Sequence, residues 1–370
     1  MNYSFVTPCA LGTEGLLSKE LSLMGVDKVV AENGSVSFVG DDFTCATVNI
    51  KSRLAARVLM QLSTFEATDF DTLYDNVKKI PFEDFIAKDD AFPVVGYTIS
   101  STLHSVPGCQ KIIKKAIVDR LSQVYNISWF SENGTTVTVR FSAQKDKFRI
   151  MIDTTGVSLH KRGYRAHHGA APIKETLAGA MCNLARIYPD TTLYDPFCGS
   201  GTILIEAAMM AQNRAPGLKR NFAAEDYGFI NKNALKEARA RALEEITPSP
   251  DFHAYGYDID PECVKLTIEN AKKAGVDHLI SAQVQDVKDL TLPSDRLKVI
   301  TNPPYGERLL DIAAARKLYK ILGQVAPPQK GHGIFVISPD DDFEKEYGAP
   351  ATKKRKLYNG TIGCCLYMYF

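Results

Sequence analysis

The sequence predicts an α/β protein with a mostly parallel, doubly wound sheet in its C-terminal half and two smaller α/β units before it. Two patterns predict this. After about residue 190, short strand-like segments alternate with longer helical segments, as they do where helices join parallel strands. Before that point, strand-like and helix-like segments also alternate, and Asn-Gly pairs between apolar runs indicate antiparallel hairpins.

Length and composition are typical of a globular, water-soluble protein. The chain has 370 residues, 45% hydrophobic and 24% charged, which suggests two or three domains. A formal net charge of +1 argues against a uniformly basic nucleic-acid binder, so RNA contacts would come from local patches. The N-terminus lacks a signal sequence and no apolar run is long enough to cross a bilayer. We therefore expect a cytoplasmic protein without a membrane partner.

Metal binding is not expected. The eight cysteines form no C-x-x-C pair, which argues against a zinc site and against a disulfide framework. His160, His167 and His168 lack companion cysteines or carboxylates at ligand spacing. We interpret the cysteines as small buried hydrophobes.

The first 60 residues are predicted to form a small α/β unit. Asn33-Gly34 lies between two apolar runs, and this pair favours the tight turn of a hairpin because both turn residues need positive φ. The predicted strands cover residues 3–6, 28–31 and 36–39, and the predicted helices cover about 13–24 and 43–56.

A second α/β unit is predicted for about residues 58–155. It has a strand at 93–100, an amphipathic helix at 108–125, and strands within 127–153 around a second hairpin at Asn133-Gly134. Lys111, Lys114 and Lys115 fall on the outer face of the helix. These lysines either contact RNA or form an ordinary solvated surface, and the charge pattern leaves both interpretations open.

The junction between His160 and Lys174 is the most one-sided basic stretch before the C-terminal tail. Lys161, Arg162 and Arg165 have no acidic neighbour there. These cations could hold RNA phosphates while Tyr164 stacks on a base, and the alternative is a solvated linker. A helix is expected to begin after Pro172.

A strand, a glycine turn and a helix follow at residues 191–211, and this is the opening unit of a nucleotide-type α/β sheet. The turn lacks the Gly-Lys-Ser/Thr of a P-loop, and the third glycine of a dinucleotide motif would fall at Leu204. Asp195 at the strand end would repel a pyrophosphate but attract an ammonium group. S-adenosylmethionine (SAM) therefore suits this turn better than NAD or ATP, with candidate contacts at Asp195, Phe197, Cys198, Gly199 and Gly201.

Polar side chains end the later strands as well, which are predicted at residues 253–257, 280–284, 298–301 and 333–337. Ligands of such folds bind beyond the carboxyl ends of the strands, so these residues should converge on one crevice. Asp258 would hold ribose hydroxyls and Asp286 an adenine amine, although any one aspartate could instead cap a helix. The candidate cofactor contacts here are Asp258, Ile259, Asp286, Val287 and Asn302.

The tetrapeptide Asn302-Pro303-Pro304-Tyr305 follows the strand at 298–301 and supplies the candidate catalytic residues. The prolines stiffen the backbone, so the Asn302 amide oxygen and the Pro303 carbonyl can both accept hydrogen bonds from an exocyclic NH₂ group. The Tyr305 ring would cover the base. This geometry suits methylation of a nucleobase amine, and the alternative is a simple proline turn.

The chain is predicted to close with two strands around Asn359-Gly360, at residues 353–358 and 361–370. An antiparallel hairpin is an allowed edge of a parallel sheet. Its basic run at 353–356 either faces RNA or protects the sheet edge from pairing with other chains.

Together these segments resemble the class I SAM-dependent RNA methyltransferases of RlmL type, which carry an N-terminal THUMP RNA-binding domain. The resemblance implies an α+β N-terminal region, with a ferredoxin-like subdomain at 1–57 and a THUMP domain at 58–158. A methyltransferase domain with a seven-stranded, Rossmann-like sheet is implied at 159–370. It also implies methylation of the guanine N2 amine in structured RNA, with 23S rRNA as the expected substrate. The matching pieces are residues 162–165, 170–178, 195–202, 206–208, 215–218 and 302–306.

Other functions remain compatible with the residues. They are guanine-N2 methylation of tRNA, adenine-N6 methylation of DNA or RNA, and a non-catalytic RNA-binding assembly factor. The oligomeric state is left open.

Overall fold

The computed structural model describes residues 2–165, 173–248, 250–293, 297–305 and 311–370. Within these ranges the strands form two sheets of seven strands each. The N-terminal sheet has the order β2-β3-β1-β4-β7-β6-β5. Its strands are β1 (Tyr3–Pro8), β2 (Asp27–Glu32), β3 (Ser35–Gly40), β4 (Leu59–Glu66), β5 (Val94–Ile99), β6 (Val139–Gln144) and β7 (Lys147–Asp153).

The two predicted N-terminal units share this one sheet. Strand β4 pairs antiparallel with β1 on one side and with β7 on the other, and among the described strands of this sheet only β5 and β6 pair in parallel. The covering helices are α1 (Glu14–Leu23), α2 (Asp42–Lys51), α3 (Phe70–Lys78) and α4 (Val106–Tyr125).

Helix α2 ends at Lys51, five residues earlier than expected, because Ser52 takes an extended conformation. The Ser52 hydroxyl donates to Glu20 (2.7 Å) and accepts from the backbone N–H of Ala55 (3.0 Å). These bonds replace the next helical turn.

The predicted hairpin at Asn133-Gly134 is wrong. The tight turn lies between β6 and β7, where Lys145 and Asp146 both have positive φ, of 51° and 63°. Asp146 tolerates this conformation because its carboxylate accepts from the Thr102 N–H (2.6 Å). The N–H of Gly134 instead donates to the Asp89 carbonyl (2.7 Å). The hairpins at Asn33-Gly34 and Asn359-Gly360 are confirmed.

The C-terminal sheet has the order β10-β9-β8-β11-β12-β14-β13. The first five strands in this order are parallel, and β14 lies antiparallel between β12 and β13. The predicted mixed sheet is therefore confirmed. Its strands are β8 (Thr192–Asp195), β9 (His253–Asp258), β10 (Ile280–Val284), β11 (Lys298–Thr301), β12 (Gly333–Ser338), β13 (Lys353–Asn359) and β14 (Ile362–Tyr369).

The helices of this half are α5 (Glu175–Leu184), α6 (Thr202–Ala211), α7 (Lys232–Glu244), α8 (Pro261–Ala274), α9 (Ile312–Val325) and α10 (Phe343–Tyr347). Helix α7, which the sequence reasoning did not predict, packs on α2, and its Leu235 belongs to the N-terminal core. The Tyr227 hydroxyl just before it donates to the Asp153 carbonyl (2.7 Å). A loop and helix from the C-terminal half thus bind the two halves together, and the three-domain division stays a prediction.

No helix in the described ranges is both long and apolar enough to cross a membrane.

Candidate active site

Four polar residues lie at the carboxyl ends of neighbouring parallel strands. Asp195 ends β8, Asp258 ends β9, Asn302 follows β11, and Asp286 comes two residues after β10. Strand β8 pairs with β9 on one side and with β11 on the other. The topology therefore brings the predicted strand-end residues to one edge of the sheet.

Asp195 is a buried carboxylate at the centre of this edge, 1% exposed. Its Oδ1 accepts from the Thr301 hydroxyl (2.6 Å) and from the Phe197 N–H (3.2 Å). Burial raises the Asp195 pKa to about 7; these hydrogen bonds oppose the rise, and Asp258 adds to it. Thr301, which the sequence reasoning missed, thus orients the carboxylate from the adjacent strand.

The glycine turn is held by Asp258. Its Oδ2 accepts from the Gly199 N–H (3.0 Å), and its Oδ1 accepts from the Asp260 N–H (2.9 Å). A Cβ on Gly199, which has a φ of +53°, would enter open space, so a ligand can approach this backbone. A Cβ on Gly201 would lie 2.7 Å from the Thr267 side chain. Gly201 is therefore explained by close packing against α8 rather than by ligand access.

The other predicted cofactor contacts divide into buried and exposed side chains. Cys198 is buried with its Sγ 3.8 Å from the Thr267 hydroxyl, and burial raises the pKa of its thiol. Val287 is also buried, so only the backbones of these two residues can reach a ligand. Ile259 is 68% exposed at the end of β9, and Val284, which was not predicted, is 55% exposed at the end of β10. The apolar side chains of Ile259 and Val284 are thus exposed at the ends of two adjacent strands.

Asp286 and Phe197 already have partners within the protein. The Asp286 carboxylate accepts from the Lys288 N–H (3.0 Å) and pairs with the Lys288 ammonium (3.1 Å). The backbone bond is the main reason that its pKa is lowered. The Phe197 ring packs partly buried against a core cluster that includes Val299. The adenine-binding role of Asp286 stays a prediction.

The tetrapeptide after β11 presents an acceptor that lacks a donor. Oδ1 of Asn302 is buried and has no hydrogen-bond partner among the described residues. An unpaired buried acceptor costs about 1–3 kcal/mol, so such atoms in native proteins commonly await a ligand or water. Pro303, the next residue, is buried, and Tyr305 is half-buried. The Tyr305 hydroxyl accepts from the Asn359 side-chain amide (2.6 Å).

Comparison with known proteins agrees with this geometry. A methyltransferase-domain model described as RMKL-like matches residues 162–368. The chain belongs to the RMKL-like methyltransferase family. Models of the RlmL ferredoxin-like domain and of the THUMP domain match residues 4–59 and 67–153. The predicted fold, the assignment to SAM-dependent RNA methyltransferases and the cofactor SAM are confirmed.

Two curated relatives of this family are similar over almost the whole chain. YpsC of Bacillus subtilis, which is provisionally named an RNA methyltransferase, is 40% identical over 370 residues, covering 100% of this chain and 96% of YpsC. The ribosomal RNA large subunit methyltransferase K/L of Desulfotalea psychrophila is 34% identical over 98% of this chain. The chain spans only 52% of that longer protein.

Two solved structures are also similar throughout. A methyltransferase crystallised with SAH, the demethylated product of SAM, matches with a TM-score of 0.93 and 37% identity, covering 100% of this chain and 98% of its own. A Listeria monocytogenes protein named by prediction as an N6-adenine-specific DNA methylase matches with a TM-score of 0.92 and 41% identity, covering 100% and 96%.

Burial contradicts the predicted RNA-binding role of Arg162 and base stacking by Tyr164, since both residues are 4% exposed. Arg162 is 4% exposed; it pairs with Glu206 (3.4 Å) and donates to the Arg53 carbonyl (2.6 Å). The Tyr164 hydroxyl also contacts Glu206 (3.2 Å). The acidic partners of this segment lie outside the basic stretch in sequence, so its composition could not reveal them.

Arg165 lies beside the glycine turn with its side chain 12% exposed, and its RNA-binding role stays a prediction. It donates to the Thr202 hydroxyl (2.7 Å) at the start of α6 and pairs with Glu175 (3.4 Å). Oε2 of Glu175 is buried and has no hydrogen-bond partner within the described ranges, and burial raises the Glu175 pKa. The sequence reasoning missed this second unpaired acceptor. Lys161 is exposed, and residues 166–172, with His167, His168 and Pro172, lie outside the described part of the chain.

The lysines of α4 line a shallow groove of about 550 Å³ with Pro93 and Val94 of the matched THUMP region. Lys111 and Lys115 are exposed. Lys114 pairs with Glu132 and donates to the Phe92 carbonyl (3.1 Å), so much of its charge is neutralised within the protein. RNA binding by these lysines stays a prediction.

Proposed function

We propose that this protein transfers a methyl group from SAM to the exocyclic N2 amine of a guanine in 23S rRNA. The observation that carries the proposal is the buried, unpaired Oδ1 of Asn302 at the carboxyl edge of the parallel sheet. A guanine amine has two N–H groups, and Asn302 Oδ1 can accept one while the Pro303 carbonyl accepts the other. The K/L relatives, named as large-subunit rRNA methyltransferases, favour ribosomal RNA.

The residues around the glycine turn suit SAM. The cofactor supplies an electrophilic methyl group whose sulfonium charge is already built in, so no metal is required. Asp195, buried and oriented by Thr301, is placed to attract the ammonium of the methionine moiety. The open backbone of Gly199 and the carboxylate of Asp258 would face the ribose, and Ile259 with Val284 would enclose the adenine between apolar side chains.

The protein's contribution to the rate would be orientation. Hydrogen bonds from the amine to Asn302 and Pro303 point the nitrogen lone pair toward the methyl group, and Tyr305 holds the base by stacking. After transfer, the extra proton on nitrogen leaves to water. The reaction then needs no general base.

RNA would be bound by the THUMP-matched region and by the exposed part of the junction. Lys111 and Lys115 on α4 and Lys161 after β7 are exposed cations that can contact phosphates. Contacts from these lysines to phosphates carry no information about base sequence. Recognition of the target nucleotide would therefore depend on RNA shape and on the extruded base.

Adenine-N6 methylation is the second candidate, because the same acceptors can hold the adenine amine and the similar Listeria protein bears that name. Labelled SAM should be incubated separately with large-subunit rRNA and tRNA from cells lacking this protein, and with genomic DNA. Each product is then digested to nucleosides. We expect label in N2-methylguanosine from the large-subunit rRNA. Label in N6-methyladenine from DNA alone would overturn the proposal, and label in tRNA alone would change the substrate.

A further inference from the structure

The turn of the C-terminal hairpin contacts the tetrapeptide. Asn359 is the last residue of β13, and its Nδ2 donates to the hydroxyl of Tyr305 over 2.6 Å. The two residues are 54 positions apart in sequence, so only the folding of the hairpin across the sheet brings them together. A bond this short, from a half-buried amide to a tyrosine hydroxyl, fixes the far end of the ring.

The hairpin is a firm support for this bond. Strand β13 pairs with β14 along all seven of its residues, and Leu357 between them is fully buried. Farther along β13, the Arg355 guanidinium donates two hydrogen bonds to the Gly12 carbonyl (2.9 and 2.6 Å). Strand β13 is thus anchored to the N-terminal half through Arg355, and its last residue, Asn359, contacts Tyr305.

Tyr305 needs such support because its own backbone does not orient its ring. The two preceding prolines restrict the backbone up to Pro304, but they do not set the χ angles of Tyr305. Any rotational freedom of the ring is lost each time a base stacks on it. A hydrogen bond at the hydroxyl removes that freedom before the base arrives, which is preorganisation.

We propose that Asn359 is a positioning residue for the methyl transfer: it holds the Tyr305 ring in the orientation that stacks on the target base. Asn359 acts through Tyr305, without contacting the base. The inference rests on the proposed function of the same site, and it adds a specific role for the C-terminal hairpin in catalysis.

The test compares Asn359→Ala, Tyr305→Phe and the double variant in single-turnover methylation of RNA from cells lacking the protein, at saturating SAM. Each single variant should lower the rate about tenfold, the usual effect of losing one hydrogen bond, and the double variant should lose no more. Asn359→Asp should recover most of the rate because the tyrosine hydroxyl can donate to a carboxylate. SAM affinity should stay unchanged in all of them. The matched control is Thr361→Ala, an exposed position in the same hairpin that should keep the full rate.

A readout independent of activity separates this inference from the proposed function. In protein labelled with ¹³C at the tyrosine ring carbon that bears the hydroxyl, the Tyr305 resonance is assigned by its loss in Tyr305→Phe. Asn359→Ala should shift that resonance, and Thr361→Ala should not. A wild-type rate in Asn359→Ala, or multiplied losses in the double variant, would overturn the positioning role. If the wild-type protein methylates no RNA, the proposed function is overturned. If the Tyr305 resonance is also unshifted in Asn359→Ala, the contact between Asn359 and Tyr305 is overturned as well.

Discussion

The two seven-stranded sheets of this protein differ in strand direction, and that difference decides where chemistry can occur. In the mostly antiparallel N-terminal sheet, carboxyl ends of strands alternate between the two edges, so side chains that end strands are dispersed. In the C-terminal sheet five parallel strands end at one edge, and Asp195, Asp258 and Asn302 lie at three of these strand ends. The contrast predicts that single substitutions at the parallel edge affect catalysis or cofactor binding, whereas substitutions of exposed cations in the N-terminal half affect RNA affinity.

The largest expected effect tests the parallel edge directly. Asn302→Ala removes the acceptor for the amine, so the single-turnover methylation rate should fall about 10²- to 10³-fold, as for other groups that orient reacting atoms. Calorimetric affinity for SAM should stay near that of wild type. Asn183→Ala, an exposed asparagine on α5, is the control and should keep the wild-type rate. A rate within threefold of wild type would remove the basis of the proposed clamp.

A second experiment tests the residues that join the two halves. Arg162→Met removes the cation that pairs with the buried Glu206 carboxylate, so the free energy of unfolding in urea should fall by about 3–5 kcal/mol. The neighbouring Lys161→Met, at an exposed position, should change it by less than about 0.5 kcal/mol. The folded Arg162→Met protein should bind RNA as wild type does. If Arg162→Met binds RNA more weakly while its stability is unchanged, Arg162 contacts RNA after all.

The pH dependence of cofactor binding sharpens the role of Asp195. Only its ionised form attracts an ammonium, so SAM affinity should increase as pH rises through about 7, where the folded-state pKa lies. Asp195→Asn should lose this increase and bind about 10- to 100-fold more weakly at pH 8, since hydrogen bonds to charged groups contribute about 1.5–3 kcal/mol. Equal pH profiles for the two proteins in calorimetry would contradict the assignment.

The raised pKa of Asp195 makes SAM affinity increase with pH, but it makes the stability of the cofactor-free protein decrease with pH. Between the ordinary pKa of 3.8 and the folded-state value of about 7, the folded protein keeps a proton that the unfolded chain has released. Without cofactor, wild type should therefore lose stability relative to Asp195→Asn as pH rises from about 4 to about 7. Urea unfolding of both proteins across this range measures the difference.

The smallest expected effect is on RNA affinity and concerns two lysines of helix α4 in the N-terminal half. Lys111→Ala combined with Lys115→Ala should weaken RNA binding and reduce the slope of log affinity against log salt by about 2, or about 1 for each phosphate contact. The methylation rate at saturating RNA should not change. Lys232→Ala with Lys236→Ala on α7 has the same spacing on another exposed helix and serves as the control. Equal slopes for both pairs would make the α4 lysines an ordinary solvated surface.

Local signals explain why much of the fold was predictable. The bounds of β10, β11 and α8 agree with the predicted ones. Helix α8 begins where Asp260 accepts from the Glu262 N–H (2.9 Å) and ends at Gly275 in the left-handed conformation, and both signals are visible in the sequence. The hairpin at Asn133-Gly134 failed because an Asn-Gly pair permits a tight turn without requiring one, and Asp146 supplied another.

The sequence by itself determined the types of most elements and the polar residues that end the parallel strands, because helix caps, apolar periodicity and turn chemistry act between near neighbours. It also identified Asn302 as an acceptor at a strand end. Only the tertiary structure decided that Arg162 and Arg165 face inward, and that Asn359 contacts Tyr305. Their partners come from distant segments, and a charge or an amide takes its role from the groups that burial places beside it.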